Sequence, residues 1–494
     1  MSAGDSAGLS SSGDLAEVLD SPTAGGKIIR GGALRTGGYI AGVALGIVSA
    51  SLMIRHLGVD NYGKYVVIIS MTTIVTGLTD VGMANVAARE LAARTREERD
   101  RLLGNLLGIR LSIAVIGTLV AMGFSVVVGY EPVVILGVGV AGVGLLLTTY
   151  QQTLAIPIGV SLRFGWLSFL DFLRQAATVA AVVLLVLAGA GLLPFIAAAI
   201  PVGIIVLAAA IPPVLGQAPL RPAFELREWR WIAGLVGVYV AAAAVGSIYV
   251  SAAVIANSLV GSSEEIGYLG AAYRIYVVLA NIPLLLIATT FPVIARAAHV
   301  DRARLEYALK RIFDVALIVG AWMALVTIAG AAFAVRVVAG SDFGPTVPVL
   351  RVLGAVLLVN FLSIAAGLTL VSLRRNVELL VANGVALVAT VVLTLVLVPH
   401  VGAKGAAIGM LVADTGLVVA YGFALARHGV LNLDLGVVPR VVLATALGAA
   451  TALITASLPD VLSLVLVTLV YWVALVLVRG LPREVSDALF RRSS

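Results

Sequence analysis

The sequence predicts an all-α polytopic membrane protein with 14 transmembrane helices: two pseudo-symmetric six-helix lobes plus two extra helices. Three observations carry this. Apolar residues make up 61% of the chain and charged residues only 12%, about half the roughly 25% charged share of a soluble domain. Apolar runs long enough to cross a bilayer core of about 30 Å, at 1.5 Å rise per residue, recur along the chain between short polar stretches. Two short sequence landmarks also recur at an offset of about 203 to 207 residues, which leaves room for six crossings. The runs exceed the roughly ten alternating residues of a barrel strand, and backbone groups in lipid must pair within their own segment, so the crossings are helices.

Residues 1–26 are rich in Ser, Gly and Asp and have no apolar stretch. They read as a disordered cytoplasmic tail and not as a signal peptide, which leaves the first span as the insertion signal. The first lobe, 27–217, holds expected spans at 34–54, 65–88, 105–128, 132–156, 166–188 and 192–215. The second lobe, 218–428, holds spans at 231–255, 268–294, 312–338, 348–373, 377–398 and 402–426. The extra pair, within 429–480, covers 437–457 and 460–479, and 481–494 form a second cytoplasmic tail.

Charge orients this arrangement. With both termini in the cytoplasm, 27 of the 33 Lys and Arg are assigned to inner segments, counting those towards the inner ends of spans, five are assigned to outer segments, and Arg274 is left over inside a span. Adding or removing one crossing would scramble the alternation, so the positive-inside rule supports the even count and a multi-pass location in the cytoplasmic membrane. It also accounts for the net charge of +7 without a nucleic-acid partner.

Composition excludes several chemistries. The chain has no cysteine, so disulfides and thiolate metal sites are absent, and its four histidines lack ligand spacing. No metal or cofactor is expected. The loops are short, no GxxxxGK[ST] phosphate loop occurs, and no segment outside the spans has room for a catalytic domain, so an enzyme is not expected.

The repeat sets the relation between lobes. Gly58 to Tyr65 (GVDNYGKY) and the Val86–Arg89 end of span 2 are echoed by Gly261 to Tyr268 (GSSEEIGY) and the Val293–Arg296 end of span 8. Six is even, so both units enter the membrane in the same sense. They are then related by an axis along the membrane normal around a central cavity.

Polar residues inside spans are expensive and therefore informative. Arg274 lies in span 8, with Asn281 seven residues on along the same face and Pro283 beyond it. It reads either as a cavity cation or as an arginine that snorkels to the surface. Asp80 closes a stripe with Thr72 and Thr76, and reads as a coupling carboxylate or as the structural partner of a basic residue; Asp414 in span 12 poses the same choice. Asn360 reads as an interhelical hydrogen-bond partner, and Asp171 and Arg174 as a mutually satisfied pair. Gly38, Gly42 and Gly46 form a double GxxxG that reads as close helix packing. Arg35 is placed either to meet an anionic headgroup or simply to satisfy the inner charge bias.

Several segments together resemble a known family. RHLGVDNYGKY at 55–65, TDVGM at 79–83 and AREL at 88–91 resemble the amino-terminal signature of the polysaccharide transporter (PST) family. EEIGYLGAAYR at 264–274, Ile282-Pro283 and FPVI at 291–294 resemble that family's segment around its eighth helix. The family comprises O-antigen-type flippases of the multidrug/oligosaccharidyl-lipid/polysaccharide (MOP) exporter superfamily. The resemblance implies alternating access and the flipping of a polyprenyl-(pyro)phosphate-linked oligosaccharide for surface polysaccharide biosynthesis. It also implies a cationic residue near Arg274 that binds the (pyro)phosphate, whose oxygens suit a planar guanidinium. Membrane lipids, a driving H+ or Na+, and polysaccharide assembly proteins are the further expected partners. A cation-coupled multidrug or metabolite exporter of the same superfamily is the alternative, with Asp80 and Asp414 as its carboxylates.

Overall fold

Gly58 shapes the start of the bundle. The computed structural model describes residues 24–80, 90, 95–161, 163–215, 220–288, 302–373, 375–428 and 435–480. The described side chains exclude those of 24–41, 43, 44, 80, 96, 164, 233, 235–244, 250, 283–288, 302–308 and 435. Helix α1 (Ala24–Asp80) runs through the first expected span and into the second as far as Asp80. The connection expected at 55–64 is helical except at Gly58, whose φ of 69° and ψ of 178° lie where a Cβ would be strained. Glycine thus lets the chain divide into two arms at a single residue.

Local chemistry sets the next boundaries. α2 (Arg96–Val128) begins where the Thr95 N–H donates to the Glu98 carboxylate at 3.0 Å, with Glu97 and Glu98 at the positive end of the helix dipole. It ends at Gly129, whose φ of 80° closes the left-handed cap. α3 (Pro132–Val160) opens on proline, which has no amide to leave unpaired. α4 (Phe164–Leu187) follows, and the sixth expected span is divided into α5 (Leu192–Ala197) and α6 (Ala199–Ala210). The second half consists of α7 (Leu226–Val260), α8 (Ser263–Ala288), α9 (Arg302–Val338), α10 (Thr346–Ser372), α11 (Asn376–Val401) and α12 (Ala403–Arg427). α13 (Val438–Ile454) and α14 (Asp460–Leu477) complete the chain. No strand occurs among the described residues, and nine helices there are long and apolar enough to cross a bilayer. The fold is an all-α, multi-pass membrane bundle.

Packing follows chain order within each half. α1 packs on α2, α3 and α4, and α6 fills the space between α3 and α4. In the second half α9 packs on α10, α10 on α8 and α12, and α11 on both α7 and α12. The halves meet chiefly where α1 lies against α7 and α8. α13 and α14 pair with each other and rest on α9, where the Tyr471 hydroxyl donates to the Ile318 carbonyl at 2.7 Å.

Glycines permit the closest approach between the halves. A Cβ on Gly63 would stand 2.0 Å from the Ser263 carbonyl oxygen, and one on Gly267 would stand 2.3 Å from the Val59 carbonyl oxygen. Each contact is the image of the other across an offset of 204 residues, and Val66 meets Gly270, its own counterpart, at the centre. The two landmarks of the sequence repeat therefore touch each other in a self-complementary crossing. The double GxxxG of α1 behaves otherwise: a Cβ on Gly42 would meet nothing within 4 Å, and one on Gly46 only the tip of Gln175 at 3.3 Å. Close helix packing is thus not found at Gly42 or Gly46, because no backbone passes there; Gly38 lies outside the described side chains.

Candidate functional site at the interface of the two halves

Arg274 stands eleven residues, about 16 Å, along α8. Its side chain is exposed, and among the described residues it forms no ion pair or hydrogen bond. Its charge acts on the hydroxyls of Tyr62 and Tyr65 on the second arm of α1, which places it beside the contact between halves. Tyr62 stacks on the half-buried Tyr65 at 5.9 Å and meets the buried Phe343 edge-on at 6.2 Å. Asn281, seven residues on, is also exposed and donates to the Val277 carbonyl of its own helix at 2.8 Å. The two polar side chains therefore share one accessible face of α8.

The side chains of Arg35 and Asp80 lie outside the described residues. The rest of the Asp80 stripe is satisfied within its own helix. Thr72 donates to the Ile68 carbonyl at 2.9 Å, Thr76 to Thr72 at 2.8 Å, and Thr79 to Thr76 at 2.8 Å.

Asp414 is 6% exposed on α12 and accepts a hydrogen bond from the Tyr249 hydroxyl on α7. One turn and more away, Asn383 of α11 donates to the Tyr421 hydroxyl at 2.8 Å. A carboxylate, two phenols and an amide thus join three helices of the second half. Nearby on α11, Thr390 and Thr394 bury hydroxyls that have no partner among the described residues, as does the Asn360 Oδ1 that was expected to bridge helices.

Two arginines escaped the sequence reading because the charge rule had already absorbed them. Arg110, counted with the inner segments, is 0% exposed on α2. Its Nε donates to the Thr79 carbonyl at 2.9 Å, and its Nη1 to the Thr153 hydroxyl at 3.0 Å, so it ties α1, α2 and α3 together beside Asp80. Arg174, read as the partner of Asp171, instead turns inward and donates to Gln151 Oε1 on α3. Asp171 is exposed and no ion pair forms between the two, since Arg174 finds an acceptor inside the bundle. Both positions fall within predicted spans, the one signal that could have separated them from loop cations.

The arrangement defines a class before any comparison: a multi-pass helical bundle of two halves, with an accessible cation at their contact and one buried carboxylate, held by a tyrosine, in one half. Known structures share the fold. The lipid II flippase MurJ in an inward closed conformation matches with a TM-score of 0.74 at 12% identity, covering 90% of this chain and 99% of that one. An inward-facing multidrug resistance MATE family transporter of the MOP superfamily matches with a TM-score of 0.62 at 15% identity, covering 78% and 94%. A MOP superfamily transporter from Pyrococcus furiosus, described as having a binding pocket of reverse polarity, matches with a TM-score of 0.54 at 16% identity, covering 79% and 93%. No family model and no curated protein sequence matches the chain. The chain has the fold of MOP-superfamily membrane transporters.

Proposed function

We propose that the protein flips a polyprenyl-(pyro)phosphate-linked oligosaccharide across the cytoplasmic membrane by alternating access, in the service of surface polysaccharide biosynthesis. The observation that carries this reading is Arg274. It is an exposed guanidinium within the expected eighth span, it has no acceptor among the described residues, and it lies beside the contact of two packed halves. Such a cation is costly unless it meets water or an anion, and a phosphate or pyrophosphate offers oxygens matched to its planar fork. The flippase name of one neighbour supports a lipid-linked cargo.

In this reading residues 27–217 and 218–428 are two lobes, 429–480 add a pair of helices outside them, and both termini are cytoplasmic. The self-complementary crossing at Gly63 and Gly267 supports a parallel relation between lobes. Arg274 and Asn281 meet the headgroup, with Arg35 a further candidate, while Asp414 and Asp80 serve coupling to H+ or Na+ or hold structure. The multidrug alternative needs a carboxylate open to an organic cation. Asp414 is buried and engaged by Tyr249, which favours the flippase reading.

The test is flipping of a fluorescent polyprenyl-diphosphate oligosaccharide in proteoliposomes. Losing a charge-assisted hydrogen bond costs about 1.5 to 3 kcal/mol, so Arg274→Ala is expected to slow flipping tenfold or more and Arg274→Lys to retain part of it. Flipping that survives Arg274→Ala unchanged sinks the phosphate role.

A further inference from the structure

The first half contains a partly open cavity whose cation the transport reading does not use. It is a cavity of 220 Å³ between α1, α3, α4, α5 and α6. Tyr65, Thr148, Gln151, Arg174 and Thr178 bring polar groups to its wall, and apolar side chains such as Met53, Val182 and Phe195 supply most of the remainder. Arg174 offers five N–H donors, and among the described residues Gln151 Oε1 is its one hydrogen-bond acceptor. No carboxylate lies within ion-pair distance of it there, and Gln151 itself is only 4% exposed.

Asp171, one turn back, acts on the Arg174 guanidinium only from beyond ion-pair distance, so on the wall of a largely apolar cavity an anion or ordered water would complete its donors. The volume lies below the roughly 300 Å³ at which pockets for drug-sized ligands begin. One oxo-anion carried on an apolar stem matches both the single cation and the apolar walls.

We propose that this cavity is a binding site for an anionic amphiphile, in which Arg174, steadied by Gln151, holds a phosphate or carboxylate group while the stem lies against Met53, Val182 and Phe195. Its cation is Arg174 and not Arg274, although Tyr65 lines the cavity and also feels the Arg274 charge; the proposal does not rest on the transport reading. The same anion chemistry can come from a membrane lipid or from free phosphate.

The experiment is ligand-induced thermal stabilisation of the purified full chain in a neutral detergent. The probes are dioleoyl-phosphatidylglycerol, oleate, inorganic phosphate and, as the zwitterionic control, dioleoyl-phosphatidylcholine. The wild type is expected to prefer the anionic lipids over phosphatidylcholine. Their affinity should fall at least tenfold in Arg174→Gln and less in Arg174→Lys. Val182→Phe, which fills the stem region but keeps the cation, should lose the lipids while retaining any response to inorganic phosphate. If Arg174→Gln does not fold, the Lys and Val182→Phe variants decide the matter. Stabilisation by inorganic phosphate alone would keep the anion site but overturn the amphiphile. Equal response to charged and zwitterionic lipids, or an unchanged affinity in both Arg174 variants, overturns the site.

Discussion

Substituting Gly63 by alanine should pry apart the contact between the halves. The added Cβ would sit 2.0 Å from the Ser263 carbonyl oxygen and 3.0 Å from the Gly267 amide nitrogen. Both are backbone atoms, so no side chain can rotate away. Reaching an ordinary 3.4 Å contact requires the second arm of α1 and α8 to separate by about 1.4 Å. Overpacking of this kind costs about 1 to 3 kcal/mol. Alanine also gains up to ~1 kcal/mol of helix propensity over glycine, but that gain applies to either arrangement of the halves and drops out of the balance between them. The net penalty falls on the conformation with the crossing closed, and 1 to 3 kcal/mol corresponds to about a 5- to 150-fold shift in the equilibrium towards one with it open. Because the chain has no native cysteine, Asp60→Cys and Glu264→Cys can carry a pair of spin labels on exposed positions flanking the crossing. Electron–electron distance measurements should show a longer-distance population growing in Gly63→Ala, and likewise in Gly267→Ala. Gly42→Ala, whose Cβ would meet nothing within 4 Å, should leave the distribution unchanged. A Gly63→Ala distribution that superimposes on the parent would refute the assignment of this crossing as a close backbone contact that opens.

The remaining expectations concern buried polar groups. Arg110→Met removes donors to the Thr79 carbonyl and the Thr153 hydroxyl inside the α1–α2–α3 packing, and should lower stability by about 3 kcal/mol. Thermal unfolding in detergent reads this, and a midpoint within a degree of the parent would contradict it. Tyr249→Phe removes the donor to Asp414 between α7 and α12, at a cost of roughly 1.5 to 3 kcal/mol. Transport driven by an imposed H+ or Na+ gradient should then fall while substrate binding without a gradient persists, and equal loss of both would mark Asp414 as purely structural.

Hydropathy located the helices well because it reports a property of single segments: each must be apolar over the thickness of the membrane whatever its neighbours are. The expected span at 132–156 became α3 (Pro132–Val160), and that at 348–373 became α10 (Thr346–Ser372). The first connection was misplaced because hydropathy registers the polar stretch at 55–64 but not its backbone, which stays helical except at Gly58. The repeat was also legible, since Gly63 and Gly267 recur at the offset of 204 where the two backbones approach.

What the sequence alone determined about this protein was its solvent and its helical character, because lipid imposes these on each segment locally. Which cations face which space was decided only by tertiary packing. Arg110 and Arg174 look alike in the chain, yet one fills a core against Thr79 and Thr153 while the other turns to Gln151 on the wall of a cavity. A side chain's charge is written in the sequence, whereas the dielectric and the acceptors around it come from helices that are distant along the chain.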